Sequence, residues 1–328
     1  MTGTARVPRV SIGLPVYNGV DYVGQSLDAL LGQSFEDLEV VVSSNASTDG
    51  TDDLVRDYAA RDPRVRFERL STNLGAAANH DVVLRRARGE LFKWASADDL
   101  YATDLVEQCV RLLDDHPDAV LAHSWTAAVD ESGAVVQAHE YPLLTNSRRP
   151  SRRFRSMLRD GDHMPGAIRS DDFYGLVRAD VLRRVRPHDS FYRADHVFVS
   201  ELVLQGRFVQ VPDWLYFRRH HGGRLSHDEA TVRSWCASLD PRRADRLRNP
   251  TARLVGEMFT GYLGAVQRSP ISAAEKRACV RHLASWAASR AGRRLGGADP
   301  GVPADEYDVV PQRRDLASRV VAGQGVGP

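Results

Sequence analysis

The sequence predicts an α/β fold with a mostly parallel central sheet, and three observations carry that prediction. Short apolar runs alternate with helical stripes from Val10 to Val129. Alternation of this kind makes strands pair in parallel with helices on their faces. Polar turns follow the first, second and fourth apolar runs, so all three open on one edge of the sheet. Two adjacent carboxylates, Asp98 and Asp99, stand at that edge, where ligands of open α/β sheets bind.

The elements read in order as follows. Val10 to Leu14 is a short apolar strand that leaves through Pro15-Val16-Tyr17-Asn18-Gly19, and Tyr22 to Leu31 carries Val23, Leu27, Leu30 and Leu31 at helical spacing. Leu38 to Val42 is a second strand, ending in small polar residues from Ser43 to Gly50. Thr51 to Ala60 is helical, with Leu54, Val55 and Tyr58 on one face. Val65 to Leu70, Gly75 to Arg86 and Leu91 to Ala95 give a strand, a helix and a fourth strand. Thr103 to Asp114 is a strongly amphipathic helix whose stripe (Leu105, Val106, Cys109, Val110, Leu112, Leu113) is core, and Val120 to Val129 is a further strand.

Beyond Gly133 the pattern is irregular. Arg148 to Arg159 is so basic that it reads as a solvated helix or a mobile flap, and Gly161 to Gly175 as a loop. Together they are the expected lid and acceptor contacts. Asp195 to Gln205 is a helix with Val199, Leu202 and Val203 inward, Phe208 to Val211 a strand, and Trp214 to Phe217 strand-like. A polar helical stretch runs from Asp240 to about Arg290, and the Gly- and Pro-rich segment after Gly296 reads as a poorly ordered tail.

Composition narrows the function. A net charge of +1 argues against a protein that works mainly on nucleic acid. The three cysteines are far apart without CxxC spacing, which fits reduced thiols in a cytoplasmic protein rather than a disulfide framework or zinc site. No stretch approaches the ~20 apolar residues of a transmembrane segment, although peripheral contact with the inner face of a membrane needs none. Neither G-x-G-x-x-G nor G-x-x-x-x-G-K-[ST] occurs, against a dinucleotide fold and a P-loop NTPase.

Three groups of residues at the ligand edge can carry chemistry. Asp98 and Asp99 would repel each other unless a cation compensates them, which suggests a divalent metal with hard oxygen ligands; they can equally cap a helix starting at Leu100. Pro15, Tyr17 and Asn18 offer an aromatic face and an amide to a nucleobase, or form an ordinary turn. Asn45 can donate to and accept from a base edge or ribose, while Thr48 or Asp49 caps the next helix.

Four segments in this order resemble the family 2 glycosyltransferases of the GT-A fold: Val10 to Asn18, Asn45 to Thr51, Asn73-Leu74-Gly75-Ala76-Ala77-Ala78-Asn79, and Ala87 to Glu90 leading into Ser96-Ala97-Asp98-Asp99. The resemblance spans about Arg9 to Val129, with weaker echoes to about Ser226. It implies a GT-A domain over 1–235, with a nucleotide-sugar half to about 130 and an acceptor half beyond, then a helical extension over 236–295 and a flexible tail over 296–328.

The resemblance also implies roles. Pro15, Tyr17, Asn18, Ser44, Asn45, Asn79, Ser96 and Ala97 would bind the nucleotide sugar. Asp98 would hold Mg2+ or Mn2+, with His221 as a further ligand; Arg218, Arg219, His220 and His221 could reach the diphosphate or metal from the other side, or be surface residues of an edge strand. Asp195 would deprotonate an acceptor hydroxyl on a small molecule, glycan or natural product, with inversion at the sugar; the same residue can also serve as the N-cap of the helix that follows it. Two departures from the family pattern stand out. Ser44 and Asn45 occupy positions usually acidic, and Ser96 replaces the first Asp of the Asp-x-Asp metal motif. They favour, as the alternative, a catalytically silent module that binds a sugar nucleotide or a protein partner. A nucleotidyltransferase would want a Gly-rich, basic loop after the first strand, which Pro15 to Gly19 is not.

Overall fold

The computed structural model describes residues 7–138, 140–163, 171–222 and 231–295. The first four strands, β1 (Val10–Val16), β2 (Leu38–Ser44), β3 (Val65–Arg69) and β4 (Leu91–Trp94), pair in parallel in the order β3-β2-β1-β4. The first three are each followed by a helix that buries a stripe on the sheet: α1 (Val23–Leu31), α2 (Thr51–Arg61) and α3 (Ala76–Arg86). Because β2 and β4 flank β1 on opposite sides, the chain reverses direction of travel at β1. A crevice therefore opens beyond the carboxyl ends of β1, β2 and β4.

The second half completes the sheet differently from the mostly parallel expectation. β5 (Leu100–Tyr101) and α4 (Leu105–Asp115) lead into β6 (Ala119–Val129), with β7 (Val135–Ala138) as its hairpin partner. The three-residue β8 (Leu176–Arg178) is wedged antiparallel between β4 and β6, and β9 (Arg207–Arg219) closes against β6 in parallel and β5 antiparallel. The full order is β3-β2-β1-β4-β8-β6-β9-β5, a mixed sheet. The two strand segments read on either side of Pro212 are one continuous strand with register shifts against β6.

The basic segment after Arg148 is a helix solvated on one face only, where Arg152 and Arg155 are exposed. It is helix α5 (Pro150–His163), with Phe154, Met157 and Leu158 buried. Arg153 is buried too, because its Nε donates to Val203 O at 2.7 Å and its Nη1 to Ser147 O at 2.7 Å. After a 3-10 turn over Asp171–Tyr174 come α6 (Ala179–Leu182) and α7 (Ala194–Gln205). The chain then continues through α8 (Val232–Leu239), α9 (Thr251–Arg268) and α10 (Ala273–Leu295). Met258, Tyr262 and Val266 of α9 and Cys279, Leu283 and Trp286 of α10 join Phe198, Leu202 and Phe154 in one apolar cluster. The segment expected to be a flexible tail, and residues 164–170 of the expected lid loop, lie outside the described residues.

Candidate functional site

The two strand exits are stitched together by side chains. Asn18 sits at φ +48° and accepts from Thr48 N through Oδ1 at 2.9 Å, while its own N–H donates to Ser47 Oγ at 3.0 Å. Asp49 accepts from Val20 N at 3.0 Å and from Thr51 Oγ1 at 2.6 Å. Burial pulls its carboxyl upward, but these hydrogen bonds outweigh that and hold it below the usual carboxylate range. Pro15, Asn18 and Tyr17 are thereby fixed at one wall of a cavity of about 510 Å³, within the range of ligand pockets. Tyr17 keeps 51 % of its surface exposed, so its ring is available to a ligand.

The same cavity is lined by Asn45, Asn79, Ser96, Ala97, Asp98 and His221. Nine of the eleven residues singled out in the sequence therefore meet at one site. Ser44 and Asp195 do not line it.

Ser44 is fully buried, and its hydroxyl is spent on Ser47 Oγ at 3.0 Å. Asn45 borders the cavity, but its amide is used by the chain: Nδ2 donates to Asn73 Oδ1 at 2.8 Å and Gly75 O at 3.2 Å, and Oδ1 accepts from Leu74 N at 2.9 Å. It pins the 73–75 loop rather than presenting a free edge to a base. Gly75 ends that loop at φ +87°, and a Cβ there would stand 2.4 Å from Leu239 O, so only glycine lets α8 close against it. Asn79 donates to Val16 O at 3.3 Å and Ser43 O at 3.0 Å, tying β1 to β2, while its Oδ1 is buried without a partner.

The carboxylate pair divides. Asp99 is fully buried; it accepts from Tyr216 Oη and, at 2.9 Å, from Arg219 N. It is a structural anchor, not a metal ligand, and neither aspartate caps a helix at Leu100, which begins strand β5. Asp98 faces the cavity, accepting from Ser96 Oγ on one oxygen and from His221 Nε2 at 2.9 Å on the other. Arg219 is buried beneath this turn, donating to Asp98 O at 2.9 Å, Glu131 O at 2.6 Å and Gln25 Oε1 at 2.7 Å, with its guanidinium 4.7 Å from the Tyr22 ring centre. It holds the turn from behind and does not line the cavity, contrary to the expected reach toward a diphosphate.

Asp195 sits in the first turn of α7, two residues past the cap position occupied by Arg193, so it is not the N-cap. Its Oδ1 is buried without a hydrogen-bond partner. Burial pushes its carboxyl upward, yet the neighbouring His196 and His188 outweigh this and keep it below the usual range. His188 lies 6.0 Å, ring centre to ring centre, from His80, which does line the cavity. Asp195 is thus linked to the cavity through two imidazoles.

Sequence reasoning missed several lining residues: Asp21, Tyr22, Asn73, His80, Glu131 and Ser238. Asn73 was inside a recognised segment and Asp21 and Tyr22 directly follow the turn after β1, whereas His80 and Ser238 come from helices and Glu131 from a distant turn with no local signal. Among the described lining residues there are three carboxylates, Asp21, Asp98 and Glu131, and neither Lys nor Arg. No group of three or more His, Cys, Asp or Glu among the described residues is arranged to hold a metal by protein ligands alone.

An uncharacterized protein of Mycobacterium tuberculosis (strain H37Rv) is 34% identical over 222 residues, which cover 66% of this chain and 60% of that protein. The chondroitin synthase of Escherichia coli is 28% identical over 145 residues, covering 44% of this chain and 21% of the synthase. The chain thus spans less than two thirds of the length of these relatives. Among solved structures, Staphylococcus aureus TarS 1-349, in complex with UDP-GlcNAc, superposes with a TM-score of 0.61 at 19% identity, covering 88% of this chain and 74% of that one. That likeness is one of fold, and it supports the GT-A-like architecture. The family model described as Glycosyl transferase family 2 matches residues 11–178, just over half of the sequence, and the chain belongs to that family.

Proposed function

We propose that the chain transfers a sugar from a nucleotide-diphosphate donor to an acceptor hydroxyl, with inversion at the sugar carbon and with a divalent cation, Mg2+ or Mn2+. The observation that carries this is the charge of the cavity. Beside Asp21, Asp98 and Glu131, and with neither Lys nor Arg among the described lining residues, a diphosphate calls for a compensating cation. Asp98 and His221, already 2.9 Å apart, are the groups that would hold it, with diphosphate oxygens completing the shell. Bound there, a divalent ion supplies Lewis-acid neutralisation of the leaving diphosphate.

The residues of the chain do the rest. Tyr17 stacks on the base, and the Asn45-pinned loop brings Asn73 to the ligand. Asp195 takes the acceptor proton as the new carbon–oxygen bond forms and the bond to the diphosphate breaks. The acceptor hydroxyl belongs to a small molecule, glycan or natural product.

A thermal-shift panel tests the donor site, since a ligand of the native state raises its apparent stability. UDP or GDP with Mn2+ should raise the melting temperature, and the diphosphate without a cation should not. A shift independent of any cation would remove the metal from the proposal. Replacing Tyr17 by Ala should weaken nucleoside-diphosphate binding by about 1 kcal/mol, the lower end of base stacking for a ring this exposed. Unchanged calorimetric affinity would place the base elsewhere.

The competing reading, a silent binding module, draws on Ser44 and Ser96. Ser96 Oγ and His221 Nε2 occupy both oxygens of Asp98. Slow donor hydrolysis that depends on Mn2+ or Mg2+ favours the enzyme, whereas tight binding with no hydrolysis and no transfer favours the module.

A further inference from the structure

His80 is a cavity-lining residue that neither the motifs nor the proposed chemistry uses. It lies in the second turn of α3, and its Nδ1 is 2.7 Å from Ala76 O. A carbonyl can only accept, so Nδ1 carries the hydrogen of that bond. Burial, helped by His188, pushes its pKa down to about 4, so the ring is neutral at physiological pH. In a neutral imidazole with the hydrogen on Nδ1, the other nitrogen is solely an acceptor. Nε2 has no partner among the described residues.

The ring is also held in orientation. Phe173 packs edge-on against it at 5.5 Å, and His188 lies tilted at 6.0 Å. Phe173 is stacked on Trp94 at 4.9 Å, and Trp94 Nε1 donates to His80 O at 3.1 Å. A cavity wall that presents an acceptor-only nitrogen calls for a ligand that brings hydrogens. Sugar hydroxyls bring them; phosphate oxygens do not.

The position of the wall separates sugar from base. Tyr17, Asn45 and Asn73 gather at the exits of β1 and β2. The ring partners of His80, Phe173 and His188, come from the second half of the chain, as does Asp195, which interacts with His188. We propose that His80 Nε2 accepts a hydrogen bond from a hydroxyl of the donor's sugar and so selects the sugar rather than the nucleotide. The inference rests on the donor-site reading above and deepens it.

Calorimetry in the presence of Mn2+ tests it with UDP, GDP, UDP-glucose, UDP-GlcNAc and GDP-mannose on the full chain. His80→Phe keeps a ring against Phe173 but has no acceptor. It should bind the preferred nucleoside diphosphate as the wild type does and its nucleotide sugar about 3–10-fold more weakly, the scale of one net hydrogen bond. His80→Gln, which keeps an acceptor at similar reach, serves if the Phe variant fails to fold, and it should bind the nucleotide sugar more tightly than His80→Ala.

Deoxyfluoro donors then locate the hydroxyl. At one sugar position, fluorine should weaken binding to the wild type yet leave binding to His80→Phe unchanged, because the two changes remove one shared bond. Equal losses for diphosphate and nucleotide sugar, or losses that add at every sugar position, would overturn the inference while leaving the donor site standing. A wild type that binds none of these ligands would overturn the donor site first, and the inference with it.

Discussion

Asp98→Asn is expected to leave the fold intact and lower turnover by about two orders of magnitude or more, the scale of losing a key electrostatic stabiliser. The fold survives because the turn is held by other groups: Arg219 grips Asp98 through its backbone carbonyl, and Asp99 anchors to Tyr216 and to Arg219 N. An asparagine can still accept from Ser96 or His221, so the local shape persists. What it loses is the negative charge that a divalent cation requires. Initial rates at saturating Mn2+ give the size of the effect, and the cation-dependent melting shift with nucleoside diphosphate should vanish alongside it. A purified variant with near-wild-type rate would show that Asp98 holds no metal.

The division between Asp98 and Asp99 also shows what a sequence can and cannot convey. Two carboxylates at the end of an apolar strand are visible as a ligand-edge signal. Which of the two faces solvent is decided by β9, whose Arg219 and Tyr216 arrive from more than a hundred positions away. No local pattern contains that information. Conversely, the first half of the sheet was legible because β1, β2 and β4 are short, mostly apolar runs and the helices bury stripes that repeat locally.

The second half resisted for physical reasons of the same kind. β8 is three residues long, too short to show a period, and yet it turns a parallel sheet into a mixed one. α5 looked solvated because arginine counts as surface, but Arg153 buries its stem and satisfies its guanidinium on backbone carbonyls. The cavity was legible where strand ends supply its lining, as at Tyr17, Asn18 and Ser96. It was illegible where a helix interior does, as at His80. Asn45 lies between these cases: its place at the site could be read, but not its engagement with Asn73 and Leu74.

Asp195→Asn should depress transfer by ~10²-fold or more while sparing both stability and donor binding, as expected for loss of a positioned base. The structure sharpens the reasoning, because Asp195 is not the cap of α7 and a capping loss cannot explain such an effect. Its Oδ1 is buried without a partner, a condition that costs stability and is found where a group is kept ready for a ligand. His196 and His188 hold the carboxyl below its usual range against the pull of burial, so it stays ionised through the whole physiological span. The pH dependence follows in sign. A base with a lowered pKa remains competent as pH falls, so transfer should be lost to this group only below the ordinary carboxylate value of about 3.9. The decisive measurement is single-turnover transfer against donor affinity in the same variant. Normal donor binding with full-speed transfer would rule Asp195 out. The next carboxylate to test would then be Asp172, whose Oδ1 lies 3.4 Å from His123 Nε2.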